Sequence, residues 1–463
     1  MGHEMVVDLL EEVGLPPELA DVVTIEGDQK PFATHYPVVE CAASVIAALG
    51  AVAASLHESR TGERQRVTVA RGHAAASLVG FLFQRLEDGE IQLPPSRLGH
   101  PMVQLHQCKD GRWVHLHGAF PHLGRITGEV LGCAPDSSRE AVAAKVAGWN
   151  ALGLEEALAA AGTCGVMART TDEWLAHPQW AALAPLGRVS VEKIGESNPE
   201  PAGARGRPLG GTRVLDLTRV LAGPTCGRTL AEHGADVLLI NSPTLDNVPM
   251  FVMDTSHGKR SAYLDLSGTD GVDTLRGLVR EADVFSQGYR GGAMARKGFG
   301  PAELAELRPG IVSTTINCYG DVGPWSTRPG WEQMAQTTSG IAVGQGSFEQ
   351  PKLIEAACSD YTTGYLAALG TMAALWRRER EGGSYQVRAS LCQTATWFTQ
   401  APAAAAGQAG DFGDVGSYTV QSDTPYGRLS HLAPVVAISG SPTRWDLPTA
   451  PLGTHDAEWV SRP

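Results

Sequence analysis

The sequence has no cysteines at C-x-x-C spacing, no apolar run approaching 18 residues and no excess of positive charge. Its eight cysteines, at 41, 108, 133, 164, 226, 318, 358 and 392, are scattered, which reads as reduced cytosolic thiols used mostly as core filler. Without a long apolar run, no membrane span is expected. The opening stretch MGHEMVVDLLEEVG has neither a basic segment nor an apolar core of signal-peptide length, so a cytoplasmic location is expected. Lys and Arg number 37 against 50 Asp and Glu, a net charge of -13, which argues against nucleic acid and anionic membranes as main partners. A local Lys/Arg cluster could still hold a small anionic ligand inside so acidic a chain.

With 463 residues, 43% of them apolar, the chain is long enough for two domains or more and apolar enough to pack them. From residue 211 the pattern is α/β. Strand-like runs GTRVLDLT (211–218), DVLLIN (236–241), SAYLDL (261–266), DVFSQG (283–288), IVSTTINCY (311–319) and SYQVRASL (384–391) alternate with helical segments, among them 270–282, 301–308 and 360–381. Alternation at these lengths predicts βαβ units: a Rossmann-like parallel sheet with helices on both faces. The first half reads as a helix and strand over 35–71, a hairpin strand over 110–120 and amphipathic helices within 138–185. The expected organisation is an N-terminal segment 1–35, a helix–strand unit 36–99, a smaller α+β domain 100–194, a Pro/Gly-rich linker 195–210, the Rossmann-like domain 211–400, and a loop with an extended return tail 401–463.

Sliding 36–71 against 356–391 without gaps matches Ala47, Ala48, Leu49, Gly50, Ala53, Ala54, Arg60, Gly62 and Val67 with Ala367, Ala368, Leu369, Gly370, Ala373, Ala374, Arg380, Gly382 and Val387. Alanine-rich helices match by composition, but the continuation Arg, Gly, Val in register points to an internal duplication. This register sets Glu40 opposite Asp360; pairing VVECAAS with LIEAACS sets it opposite Glu355 instead.

The blocks GTRVLDLTRVLAGPTCGRTLAEHGADVLLIN, HGKRSAYLDL, EADVFSQGYRGGAMARKGFGPAELAELRPGIV, CYGDVGPWSTRPGWEQMAQTTSGIA and SDYTTGYLAALGTMAALWRRERE together resemble, in order, the landmarks of the family III CoA-transferases. The likeness is strongest over 211–395, and 36–190 resembles the later part of the same unit, so the chain resembles a rearranged one-and-a-half copy of the family. The resemblance implies that Asp360 is the nucleophile, exchanging CoA between acids through an aspartyl-CoA thioester. It also implies CoA contacts from Val220, Ala222 and Gly223 in the first turn, from Lys259 and Arg260 in HGKRS, and from Arg290 and Lys297 in and after GYRGG. CoA enters as substrate, with no permanently bound cofactor; the partners are an acyl-CoA donor and a carboxylic-acid acceptor; and a homodimer, possibly interlocked, is expected.

Read from the residues alone, Asp360 is also a good helix N-cap, and the free N–H groups of a helix start would favour its ionised form. Two other activities remain open: acyl-CoA racemisation with Asp360 as base and a His or Glu opposite, and a CoA-binding scaffold without turnover. His115 and His117 share one strand face, but no Cys or carboxylate completes a ligand set beside them, so no metal is expected. The small domain, about 100–190, is expected to cover Asp360, in the same chain or in a partner chain.

Overall fold

The computed structural model describes residues 2–87, 100–200, 206–405, 407 and 409–460. The fold is α/β. Its main sheet contains β1 (Val189–Gly195), β2 (Arg213–Leu217), β3 (Asp236–Asn241), β4 (Lys259–Tyr263), β5 (Val284–Gln287), β6 (Val312–Asn317) and β7 (Ser384–Ser390). The spatial order is β4-β3-β2-β5-β6-β7-β1, with every neighbouring pair parallel except β7 and β1. Six strand-like runs were legible in the sequence. The seventh strand, β1, closes the segment expected to be the small domain, so that segment is hydrogen-bonded into the main sheet. All five residues of β2 are buried, as befits a strand covered on both faces.

Strand succession reverses between β2 and β5. In an open parallel sheet, ligands bind outside the carboxyl ends of the strands at such a point.

The duplication is visible in three dimensions. Helix α1 (Val38–Thr61), helix α2 (Ala222–Glu232) and helix α3 (Cys358–Glu381) form the centre of the molecule, with α3 packed against both others. Helices α1 and α3 each have 24 residues, and α3 begins 320 residues after α1. Their N-caps share a backbone geometry: Pro37 at φ -80, ψ 49 and Ala357 at φ -84, ψ 49.

The strand Val67–Ala70 lies between a parallel neighbour, Val23–Glu26, and an antiparallel one, Val436–Ile438, just as β7 lies between β6 and β1. A Cβ on Gly50 would sit 2.6 Å from both Val67 and Val436; one on Gly370 would sit 2.7 Å from Val387 and 2.9 Å from Val189. In both copies, therefore, glycine lets the long helix lie directly on its strands. The helices meet near equivalent positions: the Ser59 hydroxyl donates to Glu379 at 3.1 Å, and Ser59 and Glu379 are counterparts in the duplication. Contact between equivalent residues is what an approximate two-fold axis produces. The ungapped register is thus the structural one, and Glu40 and Asp360 are both third residues of their helices.

Helix α1 has the length and hydropathy of a membrane span, although no apolar run stood out in the sequence. Of its most apolar 18-residue window, 89% is buried inside the protein.

Candidate active site

Strand β2 ends at Leu217, and the chain turns through Thr218–Leu221 into α2. Asp216, wholly buried, organises this turn. One carboxylate oxygen accepts the Thr218 backbone N–H at 3.1 Å and the Thr218 hydroxyl at 2.5 Å. The other accepts from the Lys259 ammonium at 2.7 Å, and Lys259 also donates to the Pro224 carbonyl at 2.7 Å. A Cβ on Gly227 would fall 2.3 Å from Asp216 Oδ2 and 2.9 Å from Lys259 Nζ, so glycine makes room for the ion pair.

Val220 follows at φ 72, the one non-glycine residue with positive φ among the described residues. For a β-branched side chain this is a strained conformation, and such strain concentrates at functional sites. Val220 lines the same cavity as Asp360. Val220→Gly should relieve about 1–2 kcal/mol of left-handed strain while adding about 0.5–1 kcal/mol of unfolded-state entropy. The expected outcome is a denaturation midpoint that is unchanged or slightly higher, together with a raised KM for acyl-CoA because one cavity wall has gone. A clear drop in the midpoint would mean that the turn is not strained.

Asp360 occupies the first turn of α3 at 8% exposure. The N–H groups expected to favour its charge are already taken. Glu332, in the helix Glu332–Thr338, accepts the Asp360 N–H at 2.5 Å, the Ser359 N–H at 3.1 Å and the Gln336 amide at 2.8 Å. It also accepts the Cys358 thiol at 3.5 Å, so Cys358 is a buried neighbour whose own pKa is pushed well up by burial. The Asp360 carboxylate accepts no hydrogen bond from the described residues. Burial first, and the Glu332 charge second, push the Asp360 carboxyl well above the ordinary carboxylate range. The sequence reading had this direction reversed, because it did not see that Glu332 caps the helix.

A cavity of about 490 Å³ opens over Asp360. The small domain covers it within the same chain through Val103, His117, Ala119 and Phe120, and Trp331 forms another wall. The small domain is held down by Gln179, fully buried, whose amide donates to the Tyr319 and Val322 carbonyls at 2.6 and 2.8 Å and whose oxygen accepts the Trp325 N–H at 2.7 Å. The CYGDVGPW loop is thereby fixed to the small domain. His117 faces Trp331 at 5.7 Å, whereas His115 is buried and burial pushes its imidazole down to about 3, so it stays neutral.

A second cleft, about 350 Å³, adjoins the first, sharing Phe120 and Trp331 with it. It lies outside the carboxyl ends of β2, β5 and β6, at the switch point, and carries Arg219, Arg290, Arg296 and Arg328. Arg328 is committed to Glu156 at 2.8 Å. Arg290 is exposed and donates to the Gly162 carbonyl at 3.2 Å.

The candidates read from the sequence therefore divide. Asp360 and Val220 share one cavity, and Arg290 lies in the adjoining cleft. Lys259 is buried on Asp216, where burial lowers its pKa, and it props up the turn rather than facing a cleft. Arg260 is turned to Asp236 at 2.9 Å and to the Glu458 carbonyl at 2.8 Å. Ala222 and Gly223 begin α2, and the space beside the Gly223 Cα is filled by Thr218, which a Cβ would approach to 2.3 Å. Lys297 lies in a single 3-10 turn and donates to the Leu266 carbonyl at 2.6 Å; its neighbour Arg296 is the residue that lines the cleft. Sequence reasoning missed Arg219, Arg296 and the capping role of Glu332. Arg219 was within reach, since it directly precedes Val220. Beside Glu40 the cavity is about 10 Å³, room for about one water, and Lys30 lies 4.0 Å away.

Comparison with known proteins finds relatives of one family. The family described as CoA-transferase family III matches residues 19–193 and again 209–429. An acetyl-coenzyme A transferase of Hypoxylon pulicicidum is 31% identical over 83% of this chain and 73% of its own length. An acyl-CoA transferase of Gibberella moniliformis is 33% identical over 64% of this chain and 56% of its own. A formyl-CoA:oxalate CoA-transferase of Escherichia coli is 30% identical over 40% of this chain and 47% of its own, so the chain spans only about half the length of several relatives. Among solved structures, a CaiB/BaiF family protein of Brucella suis has a TM-score of 0.40 and 25% identity over 48% of this chain and 65% of that one. With two separate segments matching one family and together covering most of its length, the chain belongs to CoA-transferase family III.

Proposed function

We propose that the protein moves coenzyme A between carboxylic acids through an aspartyl-CoA thioester on Asp360. The observation that carries this reading is the position of Asp360 in a cavity that shares the side chains of Phe120 and Trp331 with an arginine-bearing cleft at the switch point. The cleft suits the phosphates and nucleotide of CoA, for which arginine offers bidentate contacts. A pantetheine arm running beside Phe120 and Trp331 would bring the acyl group into the cavity.

In the first step the ionised Asp360 carboxylate attacks the thioester carbonyl, the C–S bond breaks, and a mixed anhydride and CoA thiolate result. The thiolate then attacks the aspartyl carbonyl of the anhydride, releasing the donor acid as its carboxylate. The acceptor carboxylate attacks the resulting aspartyl-CoA thioester, and the returning thiolate completes the new thioester and frees Asp360. Cover from the small domain excludes the water that would hydrolyse these intermediates.

Incubation with acyl-CoA and hydroxylamine tests the reading: a hydroxamate at Asp360 is expected. A second reading is favoured by His117 sharing the cavity with Asp360, an arrangement that would allow an α-proton to be shuttled between them. Deuterium incorporation at the α-carbon without hydroxamate would establish that reading instead.

The raised pKa of Asp360 sets the pH dependence. The nucleophile is the ionised form, so kcat/KM should rise with pH, with a midpoint well above the ordinary aspartate value of about 3.9. Glu332→Gln removes the neighbouring charge and keeps an oxygen for the helix N–H groups. The acid limb should then move to lower pH. An unmoved limb would show that another group titrates.

A further inference from the structure

Resting on the transfer reading, we infer that the acyl group this site takes is bulky and apolar, an aromatic or branched monocarboxylic acid, and that Phe81 with Phe251 sets the preference. A cavity of about 150 Å³ holds a benzene molecule; the one over Asp360 is about 490 Å³. Most of the lining is hydrocarbon, including Phe81, Phe251, Met250, Val248, Leu353 and Ile354, with Gln333, Gln336 and His117 as its uncharged polar side chains. The charged residues lining it are Glu332, Glu355 and Asp360; among the described residues no Lys or Arg lines it. The second carboxylate of a small diacid would therefore lose its water, gain no counter-ion and meet a wall that already holds three carboxyl groups. An apolar group loses nothing polar by entering and leaves water for hydrocarbon.

The wall is also held in place. The Phe81 ring meets Phe251 edge-on at 4.9 Å and stacks on Tyr361 at 6.5 Å. The Tyr361 hydroxyl donates to Asp254 at 2.7 Å, and Asp254 is paired with Arg228 at 2.9 Å. A ring fixed this way forms a pre-organised surface for a flat or branched group. Phe81 belongs to the first family segment, whereas Phe251 and Asp360 belong to the second. The first copy, whose own counterpart carboxylate Glu40 has space beside it for about one water, thus contributes a wall to the other copy's site.

The test compares kcat/KM for the CoA thioesters of 3-phenylpropanoate, isovalerate, acetate and succinate, with isotopically labelled acetate as acceptor. The first two are expected to exceed the last two by about tenfold or more, and Phe81→Ala to cut the ratio of 3-phenylpropanoyl-CoA to acetyl-CoA by about 10- to 100-fold. A preference for succinyl-CoA or acetyl-CoA, or a ratio untouched by Phe81→Ala, would overturn the inference and leave the transfer reading standing. If no thioester is turned over, calorimetric titration with the free acids decides. Tighter binding of 3-phenylpropanoate than of succinate would uphold the apolar site while the transfer reading falls; equal or weaker binding would end both.

Discussion

Asp360→Asn should abolish CoA transfer while making the protein more resistant to heat at neutral pH. The loss of activity follows from the proposed role: an amide does not open a thioester, and removing a covalent nucleophile costs about 10⁴-fold or more. The gain in stability follows from the surroundings. The carboxyl is buried, accepts no hydrogen bond from the described residues, and faces Glu332, which already occupies the helix N–H groups. Its folded pKa therefore lies above its unfolded value. A group of that kind favours the fold fully below the unfolded value of about 3.9, and the advantage is lost as pH rises through the folded value. Asparagine resembles the protonated form at every pH. The melting temperature of the variant should exceed that of the parent at pH 7, by roughly 1 °C for each 1 kcal/mol in a chain of this length, and the difference should vanish in acid. Calorimetry at pH 7 and at pH 3.5, beside an activity assay, checks both halves. A variant that still turns over would remove Asp360 from the chemistry; one less stable at pH 7 would mean that the charge is satisfied in the fold.

The second large effect is expected at Lys259. Lys259→Met leaves the wholly buried Asp216 without its cation, and breaking a buried pair in this way costs about 3–5 kcal/mol. Replacing both partners, Lys259→Met with Asp216→Asn, removes the stranded charge while the asparagine oxygen still accepts from Thr218. The double variant should recover most of the loss, giving a coupling of about 2 kcal/mol or more in a double-mutant cycle read by urea denaturation. A lysine that contacts phosphate would behave otherwise: the single variant would keep its stability and raise the KM for acyl-CoA. Strict additivity of the two changes would show that the pair is not coupled.

These two residues mark where sequence reasoning reached and where it stopped. The strand and helix succession of 211–395 was legible because buried parallel strands and their covering helices impose run lengths that few other folds share. Asp360 stood out because the family landmarks surround it; from the residues alone, a carboxylate at a helix start reads as an ordinary cap. The duplication was legible because Gly50 and Gly370 are each required by a valine beneath them, which keeps helix and strand in step. The roles of the cations were not legible. Lys259, Arg260, Arg290, Lys297 and Arg296 all sit in the expected blocks, yet whether a cation faces a cleft or a buried aspartate depends on Asp216 and Asp236, which lie 43 and 24 residues from their partners. The ionisation of Asp360 was misjudged for the same reason: its controlling neighbour, Glu332, lies 28 residues earlier and meets it only after folding. The sheet edge formed by β1 escaped notice because 189–195 follows closely on the small-domain helix Pro178–Leu183 and joins β7 antiparallel, outside the βαβ succession.

The pairing of α1 with α3 about an approximate two-fold axis also bears on how the protein responds to dilution. Two subunits meeting through such a contact separate as concentration falls, and anything built across their junction goes with them. Here both partners are joined by one continuous backbone, so each meets the other at a fixed local concentration that no amount of solvent lowers. The α1–α3 junction therefore does not come apart on dilution, and a substitution at it should act through unfolding rather than through dissociation.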